Sequence, residues 1–133
     1  MSGLEKKFAT KSKIVNYIIN RESTSKVEIS KELNLSMPTV LSNVKDLLEK
    51  GIIIETGEYE STGGRKAKSI GINPSYRYAM GIVITANHLG MVLVNLKYEI
   101  VKSERVRLKF VPDMSYCSQV AEFAAEFLDN MND

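Results

Sequence analysis

The stretch from Val27 to Leu48, VEISKELNLSMPTVLSNVKDLL, constrains the first half of this 133-residue chain more than any other. Two runs with helical periodicity meet at Asn34-Leu35-Ser36, which leaves room only for a tight turn. Ser25-Lys26-Val27-Glu28 has the form of a capping box, with Ser25 accepting from the Glu28 backbone N–H and Glu28 reaching back to that of Ser25. Val27, Ile29 and Leu33 form the expected inward face, and Ser30 is small where a crossing helix comes close. Asn34 tolerates the left-handed conformation that ends a helix, and Leu35 then tucks back toward the core. Ser36 suits the next N-cap, and Pro38 falls in the first turn, where its missing N–H costs nothing. Val40, Val44, Leu47 and Leu48 give the second helix a buried stripe, and Gly51 terminates it.

A first helix is expected from about Thr10 to Arg21, with Ile14 and Ile18 in a broad apolar stripe. Met1 to Ala9 is polar and lysine-rich and is expected to fray at its start. Asn20 to Thr24 reads as a polar connector. After Gly51, Ile52-Ile53-Ile54-Glu55-Thr56 is β-branched, and Lys68 to Ile72 alternates and can pair with it. Three helices followed by a two-stranded hairpin make a winged helix, and the helix pair alone has the helix-turn-helix arrangement. A plain helical hairpin in a small core fits that pair equally well.

The face left over on the third helix carries Met37, Pro38, Thr39, Ser42 and Asn43, thin side chains with little reach except into a groove. Thr39, Ser42 and Asn43 are the expected base or phosphate contacts in the major groove of double-stranded DNA. Met37 and Pro38 suit thymine methyls or the sugar edge, and Ser36 caps a helix whose end points at a phosphate. Between the two strands lies Gly63-Gly64-Arg65-Lys66. Backbone freedom at such a tip lets Arg65 lie along a minor groove, while Lys66 and Lys68 neutralise phosphates. The plainer reading is a flexible, solubilising turn. A single winged helix reads few bases, so a homodimer is expected.

Net charge is +2, too small to identify a nucleic-acid partner by itself. Its distribution says more: residues 1–74 hold 12 Lys and Arg against 9 Asp and Glu, and the remainder 6 against 7. Cys117 is alone, which excludes an intrachain disulfide and a cysteine metal cluster, and His88 is the one histidine. Cys117 reads as buried or inert, and His88 as a solvated turn residue. No catalytic constellation and no cofactor motif is present, and no Gly-x4-Gly-Lys-Ser/Thr phosphate loop. With no leader-like apolar run and no spanning segment, the chain reads as cytoplasmic, without a membrane partner.

Asn73-Pro74-Ser75 breaks the pattern and marks a boundary between residues 1–74 and 75–133. Tyr78 to Thr85 and Met91 to Leu96 are apolar at nearly every position, as in strands covered on both faces. Asn87-His88-Leu89-Gly90 and Lys97-Tyr98-Glu99 are expected turns. In the third strand, Ile100 to Phe110, Val106, Leu108 and Phe110 face one way and Arg105, Arg107 and Lys109 the other, as suits an edge. A last helix carries Val120, Phe123, Ala124, Phe127, Leu128 and Met131 on one face. One helix covers one face of the sheet, so this half reads as truncated, or as burying its other face against another chain. The fold class is α+β.

Ser25 to Gly64, with Leu35-Ser36, Thr39-Val40, Leu47-Leu48, Gly51-Ile52 and Glu55, resembles the winged-helix head of repressors in the ROK family (repressor, open reading frame, kinase). Gly63-Gly64-Arg65-Lys66 resembles their Gly-Gly-Arg wing. Asn73-Pro74 followed by Tyr78-Ala79-Met80-Gly81-Ile82 resembles the join to their actin/hexokinase-type, RNase H-like ATPase domain. The resemblance runs from about Ile14 to the C-terminus and implies a sugar-responsive transcriptional repressor. Its kinases carry Asp-x-Gly-x-Thr after the first strand; here Val83-Ile84-Thr85-Ala86-Asn87 falls at that place. Val83 replaces the acid and Thr85 the glycine, so phosphotransfer is not expected. The family's sugar and zinc residues lie further along than this chain extends, so a sugar or sugar-phosphate effector is expected only of a longer chain. The alternatives are a remnant sugar kinase with a winged-helix head and a winged-helix protein-interaction module.

Overall fold

A computed structural model describes residues 2–59 and 67–131. The chain forms two compact units, Met1–Tyr76 and Arg77–Asp133.

The first unit opens with α1 (Gly3–Ile19), α2 (Lys26–Leu33) and α3 (Met37–Glu49). Helix α1 begins about two turns earlier than its apolar pattern suggests. Ser2 Oγ accepts from the Glu5 N–H at 3.2 Å, and Ser2 N–H donates to Glu5 Oε2 at 2.7 Å, a complete capping box. The early turns bury nothing, with Leu4 and Phe8 exposed, so the cap starts the helix and periodicity could not show it. Ile14 and Ile18 are fully buried further along.

Helix α2 starts at Ser25, whose Oγ accepts from Glu28 N–H at 3.1 Å. Only this half of the expected box forms. The Glu28 carboxylate turns instead to the Tyr17 hydroxyl at 3.1 Å and the Thr24 hydroxyl at 2.9 Å. Ile29 is fully buried and Leu33 half-buried, but Val27 is 63 % exposed rather than inward. Two residues from Ile29 it sits about 200° around the helix, on the opposite side. Asn34 takes the left-handed conformation (φ 54°, ψ 48°). Ser30 does more than stay small: its hydroxyl donates to the Leu35 carbonyl at 2.5 Å and holds the turn.

Helix α3 is capped by Ser36, with Pro38 in its first turn, and buries Val40, Val44 and Leu47. Leu48 is half-buried. At its end Gly51 has φ 76°, Ile52 N–H donates to the Leu47 carbonyl and Gly51 N–H to that of Leu48, a Schellman ending.

Strands β1 (Ile53–Tyr59) and β2 (Ala67–Ile72) pair antiparallel with a bulge at Thr56. The Thr56 hydroxyl lies 2.7 Å from that of Ser69. Thr24 belongs to this hairpin and is not a free connector: it exchanges both backbone hydrogen bonds with Ile70, at 2.9 and 2.8 Å, and is fully buried. Ile53, Ile70 and Ile72 complete the first core.

The second unit is an antiparallel sheet, β3 (Ala79–Ile84), β4 (His88–Val94) and β5 (Ile100–Arg107), in that order, followed by α4 (Met114–Asp129). Strand β4 starts at His88, so the expected turn at Asn87 to Gly90 is wrong. Leu89 is fully buried and pairs with Ile84. The turn is shorter, closed by Thr85 N–H on the His88 carbonyl at 3.0 Å. Leu89, Met91 and Leu93 alternate onto the face that meets Phe127 of α4, with Met80, Val106, Leu108, Val120, Phe123 and Met131 around them. Leu128 is 43 % exposed, and Phe110 leaves this cluster to meet Tyr116 edge-on at 5.1 Å. Cys117 is exposed. Lys102 donates to the Phe127 carbonyl at 2.7 Å, with its ammonium 4.6 Å from that ring.

Phe127 joins helix to sheet, so Phe127→Ala should lower the stability of the second unit by about 3–5 kcal/mol. Urea unfolding followed by amide exchange in β4 measures this; unchanged protection at Leu89 to Leu93 would show that the cluster does not depend on it.

Candidate nucleic-acid interface

Helix α3 owes its position to both of its neighbours. Asn34 reverses the chain between α2 and α3, and Ile29 of α2 and Val40 and Val44 of α3 are fully buried. From the other side, Lys11 of α1 pairs with Asp46, and Lys50 reaches the same carboxylate at 3.1 Å. The Lys11 hydrogen bond, then that of Lys50, holds the Asp46 carboxyl below its ordinary value, and Asp46 in turn raises Lys50. The buried stripe and this ionic strut fix which face of α3 remains outside.

That face carries the residues the sequence singles out. Pro38 and Ser42 are exposed; Met37, Thr39 and Asn43 are half-buried. Ser36 Oγ caps Thr39 N–H at 3.4 Å and lies 2.8 Å from the Thr39 hydroxyl. Asn43 Nδ2 donates to the Thr39 carbonyl at 2.8 Å. An amide carries two N–H groups, so the second, together with Oδ1, suits the N7 and N6 edge of adenine. Short side chains here let the helix backbone approach a groove floor.

Pro38, Thr39, Ser42 and Asn43 form one wall of a cleft, and Lys6, Lys7 and Thr10 of α1 form the other. Sequence reasoning missed these three residues. Their one local signal is Ser2-Gly3-Leu4-Glu5, which starts the helix early enough to line them up. Of the expected phosphate contacts, Lys68 lies on β2 with its ammonium 3.6 Å from Glu55 Oε1, both groups mostly exposed. A surface pair of this kind holds a lysine weakly. Arg65 and Lys66, with Gly63 and Gly64, lie outside the described residues. Val83 lies in β3 opposite Gly90. Among the described residues no group of acids, cysteines and histidines could hold a metal ion, and no helix is long and apolar enough to cross a membrane.

Residues 8–54 match a family described as winged helix-turn-helix DNA-binding. A putative xylose repressor of Caldicellulosiruptor sp. (strain Rt8B.4) is 29 % identical over 96 residues, 72 % of this chain and 24 % of that protein. The xylose repressor of Lactiplantibacillus pentosus is 29 % identical over 115 residues, 85 % of this chain and 30 % of its own length. The N-acetylglucosamine repressor of Escherichia coli O6:H1 is 24 % identical over 106 residues, 80 % of this chain and 26 % of that protein. The chain thus spans about a quarter of the length of these relatives. Among solved structures, a ROK family transcriptional regulator, described as a homologue of the E. coli MLC protein, superposes with a TM-score of 0.69 at 16 % identity. That match covers 94 % of this chain and 32 % of the other. The shared architecture is α+β, with the winged helix first.

The strut has a pH signature. Folding lowers the Asp46 pKa, so the native state binds fewer protons than the unfolded chain around the ordinary value of 3.8. The stabilisation is complete above that value and is lost as pH falls through the lowered native pKa. Asp46→Asn should therefore melt below the parent at pH 7, with the gap closing below pH 3.8. Thermal melts across that range check it; a gap that persists in acid would locate the loss elsewhere.

Proposed function

We propose, on the premise that the chain belongs with the ROK-family transcriptional regulators whose winged-helix head and second-domain opening it shares, that it reads double-stranded DNA as a repressor. The observation that carries this reading is the outer face of α3, where Pro38, Thr39, Ser42 and Asn43 are held at the surface by the Ser36 cap and the Asp46 strut.

In this reading α3 enters the major groove. Asn43 contacts a base edge, Thr39 and Ser42 contact bases or phosphates, and Met37 and Pro38 meet thymine methyls or the sugar edge. Ser36 orients the helix end toward a phosphate. Arg65 enters the minor groove, and Lys66 and Lys68 neutralise phosphates; Lys68 exchanges Glu55 for one at little cost. Residues 1–74 are the DNA-binding domain, and residues 75–133 begin a sensing domain. The repressor binds as a homodimer in the cytoplasm, and a sugar or sugar phosphate would relieve it only in a longer chain. Relatives named for xylose and N-acetylglucosamine repression support that effector class.

We assign it no enzymatic activity. In the family's kinases a carboxylate stands where Val83 stands here, and an apolar side chain in β3 cannot manage a metal-bound phosphate.

A binder that neutralises several phosphates should lose affinity linearly on a log–log salt plot, with a slope of about −0.9 per contact. Fluorescence anisotropy with an operator-length duplex measures it, and a flat plot would remove DNA as the partner. Asn43→Ala should relax preference at one position of a randomised site pool, a loss of about 1–3 kcal/mol at the preferred base. An unchanged pool takes Asn43 out of the interface. Arg65→Ala should weaken binding to AT-rich DNA by about 1–3 kcal/mol with the melting curve unaltered. Equal affinities at low salt would dismiss the wing contact.

A further inference from the structure

We infer that the first two turns of α1 are a second DNA-contacting element, in which Lys6 and Lys7 bind backbone phosphates beside the groove that α3 enters. The inference rests on the reading of α3 given above and extends the interface to a helix that the match over residues 8–54 does not reach at these positions.

Three observations carry it. The first is placement. Lys6, Lys7 and Thr10 share one cleft with Pro38, Thr39, Ser42 and Asn43, so anything seated on α3 passes them. Among the described residues no acidic side chain lines that cleft. The second is order. The Ser2–Glu5 capping box makes these turns helical from Gly3, and the Lys11–Asp46 pair, one turn beyond Lys7, ties α1 to α3. The two ammonium groups are therefore held in register with the outer face of α3 and are not on a loose tail. The third is availability. Among the described residues Lys11, Lys50 and Lys68 are engaged by Asp46 or Glu55, whereas Lys6 and Lys7 form no ion pair. Both are exposed.

The chemistry selects phosphate over base. A lysine is a point charge on a flexible stem that needs no planar partner, so it neutralises a phosphate oxygen wherever the strand passes. Such contacts fix register and orientation and carry no sequence information. Thr10, on the same wall, adds a hydroxyl donor.

The test compares the full chain with Lys6→Gln/Lys7→Gln by anisotropy on the preferred and a scrambled duplex, from 50 to about 300 mM salt. The double variant should lose about 1.8 from the magnitude of the salt slope, since each phosphate contributes about 0.9. Affinity for the two duplexes should fall by the same factor, leaving their ratio unchanged. Lys6→Arg/Lys7→Arg should restore the slope. Arg105→Gln/Lys109→Gln removes equal charge from the second unit and should leave the slope at the parent value. Glutamine forms helices about as well as lysine, and far-ultraviolet circular dichroism verifies that α1 persists. The inference is overturned if the double variant keeps the parent slope, or if the control pair lowers it equally. A changed ratio between the duplexes overturns the phosphate assignment. A parent that binds no duplex at all sinks the repressor reading first, and this one with it.

Discussion

The first unit turns on the carboxylate of Glu28. One oxygen accepts from Tyr17 of α1, the other from Thr24, and the residue's own N–H is held by Ser25. Thr24 in turn exchanges two backbone bonds with Ile70 in the wing hairpin. A single side chain thereby links α1, the start of α2 and, through one residue, β2. Burial of the phenol and its hydrogen bond to Glu28 raise the Tyr17 pKa, so the hydroxyl keeps its proton and remains a donor. Arg21 lies over the same ring at 4.1 Å, which brings a cation beside the carboxylate's partner. With these elements tied, the position of α3 follows from the Asn34 turn and the Asp46 strut.

Much of this was legible because it is local. Ser36, Pro38, Asn34 and Gly51 each act within four residues of where they stand, and each does what its type predicts. The outer residues of α3 could be picked out for the same reason, since a cap and an apolar stripe together fix which face is left. What escaped has partners far along the chain. Glu28 reads as half of a capping box until Tyr17 and Thr24 compete for it. Thr24 reads as connector because Ile70, its partner, is 46 positions away. Leu89 was hidden by its neighbours: Asn-His-Leu-Gly has turn chemistry, but Gly90 is accepted inside β4 opposite Val83, and the turn contracts to the residues before it. Lys6 and Lys7 carry no periodic signal, and only the fold brings them beside Ser42.

Two pairs of lysines in the first unit differ in what they meet. Lys11 and Lys50 converge on the Asp46 carboxylate. Lys6 and Lys7 keep their charge at the surface.

The two borders of the second sheet are not equivalent. Strand β5 ends the sheet with Lys102, Glu104, Arg105 and Arg107 along it, and a neighbouring strand would have to desolvate them. Strand β3 ends it with Ile82, Val83 and Ile84, which are 44, 60 and 50 % exposed and uncharged. Within this sheet β3 is therefore the border less defended by charge, and the charged run along β5 disfavours a further strand there. The same asymmetry makes β3 the border more open to pairing between two copies of this unit.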